Sequence, residues 1–272
     1  MVMGRCHAAH GASAGLGLTN LAGACGAHVD LAVALVIGGL GAGAAIAPDL
    51  DHEGATASRS LGPITAGASL GIRKLSAFTY RHTQTKADRS NKSGHRGITH
   101  TGPGAVAIGA FFGGTIAIAG AFSHAAGTWA AVAVIWLFFT WALRALPPNH
   151  SHKRDYITAT VLTFAGWWIL RTHYAGIIPV LLGSVIAIGC YVHAIGDGLT
   201  DYGSPLIWPF TWKGQRWYPC GMPRFLRFKA GKKVENRLVY PLSLVLAVVL
   251  AAWFIPGVGL LVERAIDRMA GH

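Results

Sequence analysis

The chain has 272 residues, 52% of them hydrophobic and only 12% charged, with a mean hydropathy of +0.43. A soluble domain carries about a quarter of its residues as charges, so this composition excludes an ordinary soluble protein and leaves no length for a large soluble domain beside a membrane one. The net charge of +12 would suggest nucleic acid in a soluble chain; in a membrane chain it is a topology signal and an attraction to anionic headgroups, and no nucleic-acid partner is expected.

Four cysteines, Cys6, Cys25, Cys190 and Cys220, are scattered without a CxxC pair, so neither a disulfide framework nor a thiolate zinc site is expected. Residues 8–25 are small, weakly apolar and uncharged. They lack a strong signal-peptide core and cleavage site, and are read as a first membrane helix of small residues suited to close packing. Residues 28–47 form a stronger span, ended by Pro48. The polar stretch 49–99 follows, with a surface-lying helix expected over 60–80. Further spans are expected at 104–122, with Pro103 at its first position, at 128–146, ended by Pro147 and Pro148, at 156–170, and at 175–196. An aromatic segment, 201–237, carries Trp208, Trp212, Trp217 and Tyr218 as expected interface anchors. Residues 238–262 close the membrane part. The expected fold is an all-α polytopic bundle of six or seven transmembrane helices, forming one membrane-embedded domain over 1–272.

Seven spans sort the connections onto two sides. Residues 1–7, 48–103, 144–155 and 197–237 share one of them. Only Arg171, Arg264 and Arg268 fall elsewhere, so 20 of the 23 Lys and Arg residues lie on that side. The positive-inside rule makes it cytoplasmic, so the polar segments 48–103 and 197–237 are expected to be cytoplasmic.

Ionisable groups collect on the same side. His193 and Asp197 stand four residues apart and so share one helix face. An ionisable pair at the end of a membrane helix is costly to keep without a use, and His with carboxylate suits a divalent metal. The stretch Pro48-Asp49-Leu50-Asp51-His52 puts two carboxylates and an imidazole just past the second span. Gly94-His95-Arg96-Gly97-Ile98-Thr99-His100-Thr101 adds two imidazoles and a guanidinium before the span at 104. His7 opens the first span, with His10 one turn later as a rival. The candidate ligands are His7, Asp49, Asp51, His52, His95, His100, His193 and Asp197, more than one tetrahedral ion needs, so one or two ions are expected. His28, His124 and His173 fall at the opposite face, and His82 in a basic run. His150 and His152 lie on the same side as the ligands and are read as outer contacts.

These stretches, with Met3-Gly4-Arg5-Cys6-His7 at the start and Tyr202-Gly203 and Leu206-Ile207-Trp208-Pro209 after Asp197, resemble in order and spacing the YdjM-type family of inner-membrane, metal-dependent hydrolases. The resemblance implies that an N-terminal histidine, Asp49 and Asp51, His95 and His100, and His193 and Asp197 form the metal site. It also brings a distant similarity to zinc-dependent phospholipase C and P1-type nucleases, which split phosphate esters. His10 stands where relatives carry a small residue, and the basic segment 72–92 is an elaboration.

The expected function is therefore a metal-dependent hydrolase at the cytoplasmic face of the inner membrane. Its ion is zinc, or manganese as the alternative, and its substrate a phosphoester of a lipid or lipid-linked molecule. Arg96 would stabilise developing negative charge, with Asp51 and Asp197 as the catalytic carboxylates. The alternatives are a metal-ion transporter, which needs ligands near the bilayer midplane, and a phosphohistidine-type lipid phosphatase, whose Lys and Ser-Arg elements are missing here.

Overall fold

The computed structural model describes residues 4–88, 95–145, 152–255, 257–258 and 268. Gly94, Pro147, Pro148, His150 and the end of the last predicted span lie outside the described residues. Among the described residues there are helices and turns but no strand, only isolated β-bridges. Nine α-helices follow in order: α1 Gly4–Ala24, α2 Leu31–Ala44, α3 Thr56–Arg59, α4 Pro63–Thr83, α5 Gly102–Phe122, α6 His124–Ala145, α7 His152–Tyr174, α8 Ile178–Gly198 and α9 Tyr240–Ala252. The fold is the all-α membrane bundle that the apolar runs demand, because lipid offers no partner to an unpaired backbone group.

Among the described residues five helical stretches are long and apolar enough to cross a bilayer: Leu31–Asp51, Gly102–Phe122, His124–Ala145, His152–Gly198 and Glu235–Ala252. The 47-residue stretch holds two helices, α7 and α8. α7 is longer than the expected 156–170, because its polar first turn His152-Lys153-Arg154-Asp155 is already helical. α1 has the length of a span, 21 residues, but its Gly, Ala and His content keeps it below the hydropathy of the others.

α2 sits at the centre, 78% of its apolar window buried against 11% for α9. It contacts α1, α6 and α8. In lipid, apolar side chains gain little by leaving their surroundings, so helix association depends on close van der Waals fit and small residues. The glycines of α2 provide it. A Cβ on Gly41 would stand 2.4 Å from the Gly11 carbonyl of α1, one on Gly43 1.9 Å from the Phe138 carbonyl of α6, and one on Gly189 of α8 2.5 Å from the Ala44 Cβ. Around these contacts Ile37, Leu40, Ile135, Phe138, Trp141, Leu182 and Ile186 fill the core.

The helix ends separate into two levels. At one, the Tyr174 hydroxyl donates to the His28 carbonyl (2.6 Å), joining the α1–α2 and α7–α8 turns. At the other, Ser60 ties α3 to the ends of α6 and α7. Its hydroxyl accepts from Trp141 Nε1 (2.8 Å), and its carbonyl accepts from Arg144 and from the Tyr156 hydroxyl. The aromatic segment differs from expectation. Trp217 is buried and donates from Nε1 to Thr83 Oγ1 (3.0 Å) and from its backbone to Asp88 Oδ1 (2.9 Å). Its ring lies tilted against those of Tyr80 and Trp208. Trp217 thus fastens residues 201–223 to the end of α4 instead of anchoring in the interface, whereas Trp212 remains exposed.

The glycine contacts make a differential prediction. Gly43→Ala should cost about 1–3 kcal/mol, because an added methyl meets backbone that cannot move aside. Gly67→Ala, where an added Cβ meets nothing within 4 Å, should be neutral or stabilising. Thermal unfolding of the detergent-solubilised protein separates the two, and equal melting points would refute the packing described.

Candidate metal centre

Four helix ends build the site. α1 presents His7 from its first turn. Pro48 breaks α2 into a 3-10 turn, Ala47–Asp51, which swings Asp49 and Asp51 inward. A second 3-10 turn, Ile98–His100, leads into α5, where Thr101 caps the helix by accepting from the Gly104 N–H (2.9 Å). The last turns of α8 carry His193 and Asp197. His7, Asp51, His100, His193 and Asp197 are all 0% exposed, and Asp49 is 3%.

Two sets of potential ligand atoms lie within 4.8 Å of one another: Asp49, Asp51, His95 and His100, and His7, His193 and Asp197. They adjoin. His193 Nε2 and His100 Nε2 are 3.1 Å apart. Asp49 Oδ1 is 3.6 Å from His193 Nε2 and 4.0 Å from His100 Nε2. Asp197 Oδ2 is 3.5 Å from His100 Nε2 and 4.0 Å from His193 Nε2. A tetrahedral ion with ligands at about 2.0–2.2 Å sets those ligands about 3.3–3.6 Å apart. His100 and His193 Nε2, each with Asp49 and Asp197 oxygens within 4.0 Å, thus surround one point, at spacings at or slightly beyond those of a coordination sphere. His7 borders it, stacked on His193 at 3.7 Å between ring centres, with Nε2 3.5 Å from Asp197 Oδ1.

Proton placement sharpens this. His193 Nδ1 is 2.7 Å from the Ala45 carbonyl, which can only accept, so Nδ1 carries the proton and Nε2 a lone pair. His100 Nδ1 faces Asp51 Oδ2 (3.2 Å) and Thr99 Oγ1 (3.0 Å), while the Thr99 hydroxyl donates to the same Asp51 oxygen (2.8 Å). His100 Nδ1 therefore carries its proton too. With both rings neutral, two Nε2 lone pairs would face each other across 3.1 Å, a repulsion that a metal ion between them, or a proton on one of them, relieves. Burial disfavours a charged His100, but the Asp51, Asp197 and Asp49 carboxylates outweigh it and raise its pKa above the ordinary imidazole value. A proton can thus partly stand in for a metal ion.

The carboxylates divide into two kinds. Asp51 is satisfied by His95 Nδ1 (2.8 Å), His100, Thr99 and the Gly97 N–H (3.4 Å). Asp49 Oδ1, Asp197 Oδ2 and both ring nitrogens of His7 are buried without a hydrogen bond. Buried polar atoms are normally paired, so these orphans, converging with the two imidazole lone pairs, fit a divalent ion. Asp51 fits an orienting role, holding two histidines by their far nitrogens.

Arg96 is more tightly held than its sequence context suggested. Its backbone is left-handed at φ 52°, uncommon for a residue with a side chain. Nη1 donates to the Gly203 carbonyl (2.6 Å) and Nη2 stands 2.8 Å from Asp197 Oδ1, an ion pair without hydrogen-bond alignment. Thr200 Oγ1, which donates to the Asp197 carbonyl (2.7 Å), lies 3.4 Å from Nη1. Arg96 therefore fixes the carboxylate of Asp197 and the loop after α8.

Seven of the eight predicted ligands meet here. His52 does not join them: its Nδ1 accepts from the Gly54 N–H (3.1 Å), and its ring lies against His95. His7, not His10, reaches the set; His10 turns toward Cys6 Sγ (3.8 Å). His82 and His152 are exposed, and His28 pairs with His173 at the far end. Residues that sequence reasoning missed include Ala45 and Gly203, which act through their backbone carbonyls. Ser204, whose hydroxyl donates to the His100 carbonyl (2.8 Å), was missed as well.

Residues 1–258 match the YdjM inner membrane protein family, and the chain belongs to that family. No curated protein and no solved structure matches it.

The division of carboxylates is testable by metal analysis of purified protein. His193→Ala and Asp197→Asn should abolish metal binding, since each removes an inward lone pair or its charge. Asp51→Asn should weaken it about 10–100-fold without abolishing it, as loss of an orienting partner does. Equal loss in all three would make Asp51 a direct ligand.

Proposed function

We propose that the protein is a metal-dependent hydrolase working at the cytoplasmic face of the inner membrane on a phosphoester of a lipid or lipid-linked molecule. The observation that carries this reading is the close approach of His100 and His193 Nε2 (3.1 Å) beside two carboxylates with unpaired oxygens, all buried at helix ends. His100, His193, Asp49 and Asp197 would hold the ion, with His7 as a further ligand. Zinc suits this nitrogen and oxygen set, and manganese is the alternative. A bound divalent ion would supply Lewis acidity, polarising the phosphoryl oxygen and lowering the pKa of water.

Charge fixes the number of ions. Asp49, Asp51 and Asp197 contribute three negative charges and Arg96 one positive, so a single divalent ion balances the site. A second ion would need anionic co-ligands from outside, such as a substrate phosphate. The chain's own contribution is to hold these groups still. Asp51 orients His95 and His100, the Ala45 carbonyl fixes the His193 tautomer, and Arg96 holds Asp197 in place through an ion pair at 2.8 Å. The His95 side chain is 21% exposed and held by Asp51 at Nδ1. It is the imidazole of the site nearest to water, placed to carry protons between the centre and solvent.

The ligands sit in the end turns of their helices, so a midplane transport site has no support from the geometry. Positive charge on the ligand side supports the cytoplasmic assignment.

Two outcomes are expected. Hydrolysis of a phosphoester substrate by the purified protein should be lost on chelation and return with zinc or manganese; metal-loaded protein inactive toward lipid and soluble phosphoesters alike would overturn the hydrolase. In intact cells, Cys25, exposed at the far end of α1, should react with a membrane-impermeant thiol reagent. A cysteine replacing Lys213 should react only after permeabilisation, and the reverse pattern would invert the topology.

A further inference from the structure

A cavity of about 400 Å³ opens between the turn after Asp51 and the first half of α4, lined among others by Glu53, Ser58, Arg59, Ser69 and Arg73. It adjoins the ligand-bearing turn through Ser58, whose hydroxyl donates to the His52 carbonyl (2.7 Å) and lies 3.5 Å from that of Asp49.

α4 is inverted for a helix in water. It turns Thr65, Ser69, Ser76 and Tyr80 inward and leaves Ile64 (75%), Leu70 (46%), Leu75 (56%) and Phe78 (52%) exposed. Such a helix suits the headgroup boundary, with its apolar edge in the acyl region and its polar side over the ligand-bearing turn. On that polar side Ser69, 1% exposed, has a hydroxyl without a hydrogen-bond partner, and Arg73 Nε is also buried and unpartnered. A buried unpaired hydroxyl is costly, and the cavity is where Ser69 can find its acceptor.

The charge of the lining points the same way. Arg59 and Arg73 outnumber Glu53. Glu53 Oε2 pairs with Arg73 Nη1 at 2.8 Å, but its side chain is 74% exposed. An ion pair so open to water contributes little, so an anion that makes better contacts displaces it easily.

We propose that this cavity is an anion subsite for a phosphate-class group, the headgroup of a membrane amphiphile whose chains lie along the apolar edge of α4. Arg73 and Arg59 supply the charge, Ser69 Oγ donates, and Glu53 is the counter-ion that the incoming phosphate replaces. That this amphiphile is the substrate rests on the hydrolase reading; the binding of the anion does not.

The test is equilibrium binding to the full-length protein in detergent, with inorganic phosphate and, separately, short-chain phosphatidate as probes. Arg73→Gln should weaken binding about tenfold or more, the loss of a charged hydrogen-bond donor, and Ser69→Ala about three- to tenfold. Glu53→Gln should tighten it, which a misfolded variant cannot mimic. His193→Ala should leave it intact, because no wall of the cavity is a metal ligand, so binding survives even if the protein is no hydrolase. Phosphatidate binding tighter than phosphate identifies the source as a lipid headgroup; equal binding identifies a soluble phosphate in the same subsite. Unchanged affinity in both Arg73→Gln and Glu53→Gln, or loss of binding in His193→Ala, would overturn the subsite.

Discussion

Uncompensated charge buried at the membrane surface is the constraint on which the rest of this structure depends. Asp49, Asp51 and Asp197 are withdrawn from water, and Arg96 is the guanidinium set against them. Moving a carboxylate out of water costs several kcal/mol even after the protein relaxes. A bundle holding three such groups against one guanidinium gains from any further positive charge, whether a proton on His100 or a divalent ion. A divalent ion between His100 and His193 Nε2 would restore neutrality and meet the unpaired oxygens of Asp49 and Asp197 at the same point.

Helix packing decides whether that point exists. The ligands come from α1, α2, α5 and α8, and their ends converge only because the helices approach closely. Gly11, Gly41 and Gly189 allow backbone-to-backbone contact among α1, α2 and α8. Gly196 does the same within the site: a Cβ there would stand 3.1 Å from His10 Nδ1 and 3.4 Å from His7 Nδ1. The small residues that make α1 a weak membrane span by hydropathy are what let His7 reach its partners. Lipid rewards this kind of fit, since burial of large apolar side chains gains little there.

Much of the bundle was legible because a bilayer imposes a length and a polarity on every span. The runs at 104–122 and 128–146 map closely onto α5 and α6, and His193 and Asp197 share a helix face as their spacing required. What the sequence hid was the use made of each polar group. Asp49 and Asp51 look alike on paper, yet one keeps an unpaired oxygen facing the centre and the other spends its oxygens on His95, His100 and Thr99. Arg96 reads as a phosphate-binding guanidinium but is consumed by Asp197 and a backbone carbonyl. His52, adjacent to two site carboxylates, points elsewhere because the chain leaves the 3-10 turn in an extended conformation at that residue. Trp217 resembles an interfacial anchor until Thr83 and Asp88 are seen to hold it. Each of these depends on contacts between residues far apart in the chain, which no local pattern encodes.

X-ray absorption at the metal edge of the purified, metal-loaded protein tests the central claim most directly. A centre of His100, His193, Asp49 and Asp197 predicts nitrogen and oxygen ligands at about 2.0–2.2 Å, with outer-shell scattering from at least two imidazoles. A sulfur shell at about 2.3 Å, or a metal surrounded by oxygen without imidazole, would contradict it.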